Sequence, residues 1–237
     1  MNLLATLLLC GSLFFSALAT AANALLIWPV DPTLNEGQRA TELWLENRGA
    51  ETTLMQVRIF GWQQRDGREQ FSTQQNVVAS PPQVRIEPGK RQLVRLIAQQ
   101  PAPAGQEAAF RVVLDEIPTP PAPGSSPGGL NLQMRYSLPL FQYGSGLDKA
   151  SATPVLQWRV IQQAGKPQLH IVNRGRGHAR LSRVSLAGRP INDGLLGYVL
   201  AASTQRFPLP FAAGNSGELR AELGGQRTPW RSHSAQP

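Results

Sequence analysis

Apolar residues alternate without a break from Leu130 to Leu140: Leu130, Leu132, Met134, Tyr136, Leu138 and Leu140. A period of two lays all six on one face of a β-strand, with Asn131, Gln133, Arg135 and Ser137 opposite. The strand leaves an aperiodic Pro/Gly/Ser-rich loop, Pro118 to Gly129. Two readings fit. It is an ordinary half-buried strand of a sandwich, or a sheet edge presenting its side chains to a partner that lacks a strand.

The rest of the chain also reads as strand. Ala24–Trp28 is an apolar run ended by Pro29 and Pro32, and Arg39–Glu46 alternates before Asn47-Arg48-Gly49 turns the chain. Leu54–Trp62 follows, then Arg65-Asp66-Gly67 supplies an Asp-Gly turn. Val84–Ile86 leads into Glu87-Pro88-Gly89-Lys90, with Pro and Gly placed as a tight turn prefers. Gln92–Ala98, Ala108–Glu116 and Leu130–Tyr143 complete seven short strands, the signature of an immunoglobulin-like sandwich. Residues 144–154 carry no core pattern and read as a short hinge. Beyond them Val155–Ile161, Gln168–Val172, Ala179–Leu186, an interrupted Tyr198–Phe211 and Glu218–Leu223 predict a second, smaller β-domain. No helix of normal length, repeat or heptad is visible. The expected fold is all-β, two immunoglobulin-like sandwiches: residues 23–143 and 155–237.

Composition narrows the setting. Leu3 to Ala19 is uncharged and apolar and ends in Ala17-Leu18-Ala19, so residues 1–22 read as a cleaved secretory signal. Cys10 lies inside it, and the mature chain has no cysteine with which to form a disulfide. Roughly 215 mature residues suit two domains. The net charge is +8, carried almost wholly by arginine. The arginines are scattered along strands and turns, so the charge predicts a solvated surface and no nucleic-acid partner. Arg174, Arg176, Arg180 and Arg183 are the densest cluster. No segment beyond the signal is long and apolar enough to insert in a membrane.

Catalytic chemistry finds no support. His170, His178 and His233 stand at no metal-ligand spacing, and no nucleophile elbow or phosphate-cradling glycine motif occurs. Asp115 and Glu116 are adjacent and face opposite ways in a strand. The expectation is a non-enzyme without metal or cofactor.

The block Ala79-Ser80-Pro81-Pro82 through Pro88-Gly89 to Val94-Arg95-Leu96 resembles the periplasmic chaperones of chaperone–usher pilus assembly, the PapD-like family. Glu107, Phe110 and Asp115-Glu116-Ile117-Pro118 resemble its sixth strand, and Leu130–Phe141 its seventh. Leu26-Ile27-Trp28-Pro29 resembles the first strand, and Leu169–Asn173 a strand of the second domain. The matches cover most of the mature chain in order. The resemblance implies a periplasmic chaperone that folds and caps pilus subunits by lending its seventh strand, then delivers them to an outer-membrane usher. It selects the edge-strand reading and makes Leu130, Leu132, Met134 and Tyr136 the donor residues.

Three positions depart from the family pattern. Where most members carry an arginine and a lysine that anchor the subunit's C-terminal carboxylate, this chain has Leu25 and Pro139. The arginine that ties the domains together is replaced by Tyr143, although its acidic partner is kept as Glu107. Ser137-Leu138-Pro139-Leu140-Phe141 and Leu26-Ile27-Trp28-Pro29 resemble the archaic, Csu-type branch, whose subunits are spore-coat-U-like. Arg95, Arg135 and Arg111 are then the candidate carboxylate anchors, since a planar guanidinium binds a carboxylate bidentately. The competing reading is a secreted structural or adhesive pilus component with β-sandwich architecture. Exposed apolar edges also invite self-association of the free form, and a tight turn leaves a cis bond open at Ser80–Pro81 or Pro81–Pro82.

Overall fold

The computed structural model describes residues 25–118, 133–224 and 229–233. Leu130 and Leu132, and the proposed signal, lie outside them. Among the described residues there are seventeen strands and no helix. In the first half these are β1 (Leu25–Trp28), β2 (Thr33–Leu34), β3 (Ala40–Asn47), β4 (Thr53–Arg65), β5 (Arg68–Thr73), β6 (Val77–Ser80), β7 (Gln83–Ile86), β8 (Arg91–Ala98), β9 (Glu107–Ile117) and β10 (Arg135–Tyr143). The second half holds β11 (Leu156–Gln163), β12 (Lys166–Asn173), β13 (Ala179–Leu186), β14 (Arg189–Val199), β15 (Thr204–Pro208), β16 (Glu218–Leu223) and β17 (Trp230–His233).

The first sandwich packs the sheet β1-β3-β8-β6 on the sheet β2-β10-β9-β4-β5, with β7 also on β4. Alternate residues of both fill one core, among them Leu43, Leu45, Met55, Val57, Val94, Leu96, Val112, Leu114 and Leu140. The second sandwich packs β11-β12-β15 on β14-β13-β16-β17 around Trp158, Leu169, Ile171, Leu181 and Leu219.

Turn chemistry follows the sequence. Asp66 and Gly67 both have positive φ, as a two-residue hairpin of the twist-matched type requires. Gly89 is also at positive φ, in a turn closed by Lys90 N–H to the Glu87 carbonyl at 3.0 Å. The Ser80–Pro81 bond is cis, as is Trp28–Pro29.

The structure corrects several expectations. The first sandwich has ten strands, not seven. β5 is exposed at every residue and so carries no apolar alternation, while β2 and β6 are too short to show one. In the second half β14 begins at Arg189, well before the expected Tyr198, and β17 lies in a tail that reads as polar. Trp28 and Trp44 lie outside the core although each sits in a strand with buried neighbours. They stack on the sheet's outer face with ring centroids 6.2 Å apart. A repeat does exist: Asn-Arg-Gly closes the end of β3 at 47–49 and the end of β12 at 173–175.

Residues 144–154 make packing contacts. Leu147 joins Trp62, Phe141, Tyr143, Tyr198 and Leu200 in a cluster between the sandwiches. A side chain at Gly144 would overlap the Pro103 carbonyl, so only glycine fits there.

Candidate functional site

β10 pairs with β9 along its whole length, from Arg135↔Asp115 to Tyr143↔Glu107. Its other side meets β2 only at Phe141 and Gln142. Among the described residues, no strand pairs with that side from Arg135 to Leu140, and the side is exposed or half-buried as far as Leu138, with Pro139 and Leu140 buried. The direction of its backbone groups follows from one bond: Glu116 N–H donates to the Met134 carbonyl at 3.0 Å. In an antiparallel ladder the residues that face the partner alternate with those that face away. Even-numbered residues of β10 thus turn their backbone groups to β9. Arg135, Ser137 and Pro139 turn theirs to the unpaired side.

The side chains divide by the same parity. Tyr136, Leu138 and Leu140 point into the first sandwich's own core, Leu140 fully buried and the other two in part. Met134 precedes the strand proper and is 43% exposed. The alternating row is therefore one continuous stripe that starts inside the molecule and emerges at Met134.

The opposite, outer face carries the charge. Arg58, Phe60, Phe71, Arg111, Val113, Arg135 and Ser137 line a cleft of about 430 Å³. Arg58 and Arg135 share a single acid, Asp115: Arg58 Nη2 donates to Oδ2 at 2.6 Å and Arg135 Nε to Oδ1. Arg111 is different. Its side chain is only 14% exposed, and its one acidic neighbour, Glu69, stands at 4.0 Å. Its guanidinium carbon lies 3.7 Å from the Trp62 ring centre and 5.2 Å from that of Tyr198, which belongs to β14. Burial pushes the Arg111 pKa down, with Glu69 and Tyr198 pulling the other way. It nevertheless stays a cation at any physiological pH.

The three candidate arginines are not brought together. Arg111 and Arg135 line the cleft, but Arg95 lies on β8 in the other sheet, exposed and opposite Glu42. A strand's sheet membership is invisible in its local pattern, so sequence could not separate them. Arg58 was missed for the same reason.

Glu107 opens β9, its side chain 1% exposed. It accepts the His178 backbone N–H at 3.0 Å and lies 2.8 Å from His178 Nδ1. His178 belongs to the second sandwich and stacks on Phe141 of β10 at 3.5 Å between ring centres. Tyr143 completes the junction. Burial raises its phenol pKa, and the neighbouring Glu107 carboxylate, which accepts its hydrogen bond, raises it further. Gln64 adds a pin: its side-chain nitrogen donates to the Tyr198 carbonyl at 2.8 Å and its oxygen accepts from Leu200 N–H at 2.9 Å. The same stretch that supports Arg111 is thus tied to the first sandwich. Among the described residues no group of three or more His, Cys, Asp or Glu is placed to hold a metal ion.

Comparison with known proteins agrees with this architecture. Residues 30–147 match the pili and flagellar-assembly chaperone family, PapD N-terminal domain. The chaperone protein FimB/FhaD of Bordetella pertussis is 30% identical over 146 residues, and the match spans 58% of its length. A chain of the CsuC–CsuE chaperone–tip adhesion subunit pre-assembly complex from the archaic Csu pili of Acinetobacter baumannii is 30% identical, with TM-score 0.75, over 88% of this chain and 97% of that one. The Salmonella enterica SafA pilin–SafB chaperone complex holds the same fold at 18% identity and TM-score 0.67, over 91% of this chain and 98% of that one. With the one-sided pairing of β10, the second sandwich behind it and a 30% identical match over 97% of a solved relative's chain, the chain belongs to the PapD-like family of pilus-assembly chaperones.

Proposed function

We propose that this protein is a periplasmic chaperone that captures a pilus subunit through the open edge of β10 and passes it to an outer-membrane usher. The observation that carries the reading is the one-sided pairing of β10. An unpaired strand edge is a template for another strand, and β-strand addition, of which chaperone–pilin complementation is an established instance, combines main-chain bonds with side-chain pockets. Leu130, Leu132 and Met134 would fill the groove of a subunit that lacks a strand, with Tyr136 at the inner end of the row. Each large apolar side chain so buried is worth roughly 1.5–3 kcal/mol before ordering costs.

Of the candidate anchors, Arg111 fits the subunit's C-terminal carboxylate best. Its ring contacts fix the guanidinium without neutralising it, and Glu69, the acid it meets among the described residues, is at the limit of ion pairing. Arg135 and Arg58 are committed to Asp115 and raise the local positive field. Arg95 is on the wrong sheet. Glu107 ties the sandwiches together through His178.

The test is co-expression in a bacterial periplasm with a candidate pilus subunit, wild type against Leu132→Arg with Met134→Arg. A soluble one-to-one complex with wild type, lost in a double variant that still folds, is expected. Equal capture by the variant would refute strand donation, and failure to stabilise any subunit would favour the structural or adhesive role.

A further inference from the structure

The two halves of the chain do not share its net charge. Residues 1–154 hold twelve arginines and lysines against twelve acids, whereas residues 155–237 hold eleven against three, so the second half carries the whole surplus of +8. Two of its acids, Glu218 and Glu222 on β16, are taken by Arg220 and Arg183 within the sheet β14-β13-β16-β17. The third, Asp193, lies on β14 of that same sheet. The facing sheet, β11-β12-β15, has no acid in any strand.

Alternation decides what that sheet shows to solvent. Trp158, Val160, Leu169, Ile171 and Phe207 fill the core, so Arg159, His170 and Arg206 point outward. They are direct cross-strand partners, Arg159↔His170 and His170↔Arg206, and form one row across all three strands. Lys166 stands on the same face by parity. Arg159 and Lys166 are exposed, and His170 and Arg206 are half-buried. His170 Nδ1 and Arg206 Nε have no hydrogen-bond partner among the described residues. Burial pushes the His170 pKa down, and Arg159 and Arg206 push it further, as a positive field without a counter-charge does. The turn of the first sandwich that meets β15, Arg65-Asp66-Gly67, brings an arginine together with its acid and leaves the balance unchanged. Gly67 also leaves room for Arg206, since a Cβ there would fall 2.5 Å from its Cγ.

We infer that the outer face of β11-β12-β15 docks on an anionic phospholipid surface, with Arg159, Lys166 and Arg206 meeting its phosphate head groups. A row across three strands is about 10 Å long on an open sheet face, which suits head groups laid side by side. A planar guanidinium matches a phosphate, and a juxtamembrane cluster of cations is drawn to anionic lipid. A face with one sign of charge and no acid fits a uniformly negative partner rather than a protein surface of mixed charge. The docking is peripheral, and it is independent of strand donation by β10.

The test is flotation of the purified protein with phosphatidylcholine vesicles, with and without phosphatidylglycerol, at low and at physiological salt. Wild type should float only with the phosphatidylglycerol vesicles and come off as salt rises, because exposed charges are screened over about 10 Å at 0.1 M. Arg159→Gln with Lys166→Gln should weaken binding about twentyfold, roughly fivefold for each cation removed. Arg183→Gln with Arg220→Gln takes the same charge from the facing sheet and should weaken it far less. Melting curves check that both variants fold, and all four side chains are solvent-exposed. No flotation of wild type overturns the inference. An equal loss in the two variants overturns it as well, since binding would then follow net charge and not this face. It falls too if inorganic phosphate or an acidic protein binds through Arg159 and Lys166 while vesicles do not.

Discussion

The two sandwiches close the same corner in the same way and then treat their edges oppositely. In the first, Asn47 donates to the Glu51 and Ile86 carbonyls and accepts from Gly49 N–H. In the second, Asn173 donates to the carbonyls of Gly177, Val199 and Leu200 and accepts from the amides of Val155 and Gly175. Both side chains are buried at 1% exposure, where an amide that satisfies loose backbone groups is worth more than an apolar residue. The edges differ. β14 has an irregular register, β17 is short, the Val160 amide on β11 is taken by the Asn215 side chain, and β15 is met by the Gly67 turn. Only in the first sandwich does a long, regular strand, β10, keep one side bare among the described residues. A shared corner therefore sets the fold, and the treatment of the edge sets what the fold is for.

The strongest way to break this comparison is at the corners. Asn173→Ala leaves more buried groups without partners than Asn47→Ala does, so the expected losses are on the order of 3 kcal/mol and 2 kcal/mol respectively. Urea denaturation of both variants checks the order, and equal losses would show that the corners are not graded in this way. Asn173 also holds the Val199–Leu200 stretch behind Tyr198, so its variant should weaken subunit capture as well.

A smaller effect sharpens the edge. Arg111→Ala should lower subunit affinity by about 1.5–3 kcal/mol, the value of a hydrogen bond to a charged group, with little change in folding. Arg95→Ala should change affinity by less than twofold. A titration in which Arg95→Ala is the weaker binder would place the anchor on the other sheet.

At the junction, the raised pKa of Tyr143 means that the folded state keeps this proton longer than the unfolded chain, whose phenol titrates near 10. The stabilisation is complete below about pH 10 and fades as pH rises through the folded value. Tyr143→Phe should flatten that alkaline loss, read as melting temperature against pH, and an unchanged slope would remove Tyr143 as its source.

The smallest effect is expected at Asp115. Burial raises its pKa, but hydrogen bonds from Arg58 and Arg135 outweigh this and leave it below the usual carboxylate value. Stability from this group is present above about pH 4 and is lost as pH falls through the folded value. Asp115→Asn should cost under about 1 kcal/mol at neutral pH and reduce the acid dependence. A larger neutral-pH loss would mean that the Arg58–Asp115–Arg135 group does more than organise charge.

Much of this was legible in the chain. The period-two row, the Asp-Gly and Pro-Gly turns and the two-sandwich order all announce themselves through spacing, because burial on one face of a strand imposes it. β5 does not, since both its faces are wet. Arg111 and Arg58 look like any strand arginine until the sheets stack Trp62 and Tyr198 around the first and Asp115 beside the second. The Glu107–His178 contact spans 71 positions and joins a strand end to a glycine-rich turn, so no local pattern carries it. The recurring Asn-Arg-Gly was there to be read. Its meaning needed the buried carbonyls that each asparagine serves.

The packed connection at Gly144 and Leu147 has a mechanical consequence. With the linker wedged against Pro103, and Gln64 and Glu107 fastened to the second sandwich, the angle between the two halves behaves as a welded elbow. On the proposed reading, a guest strand lying in its crook would not be released by the arms swinging apart and would instead peel away from the outer end, near Met134.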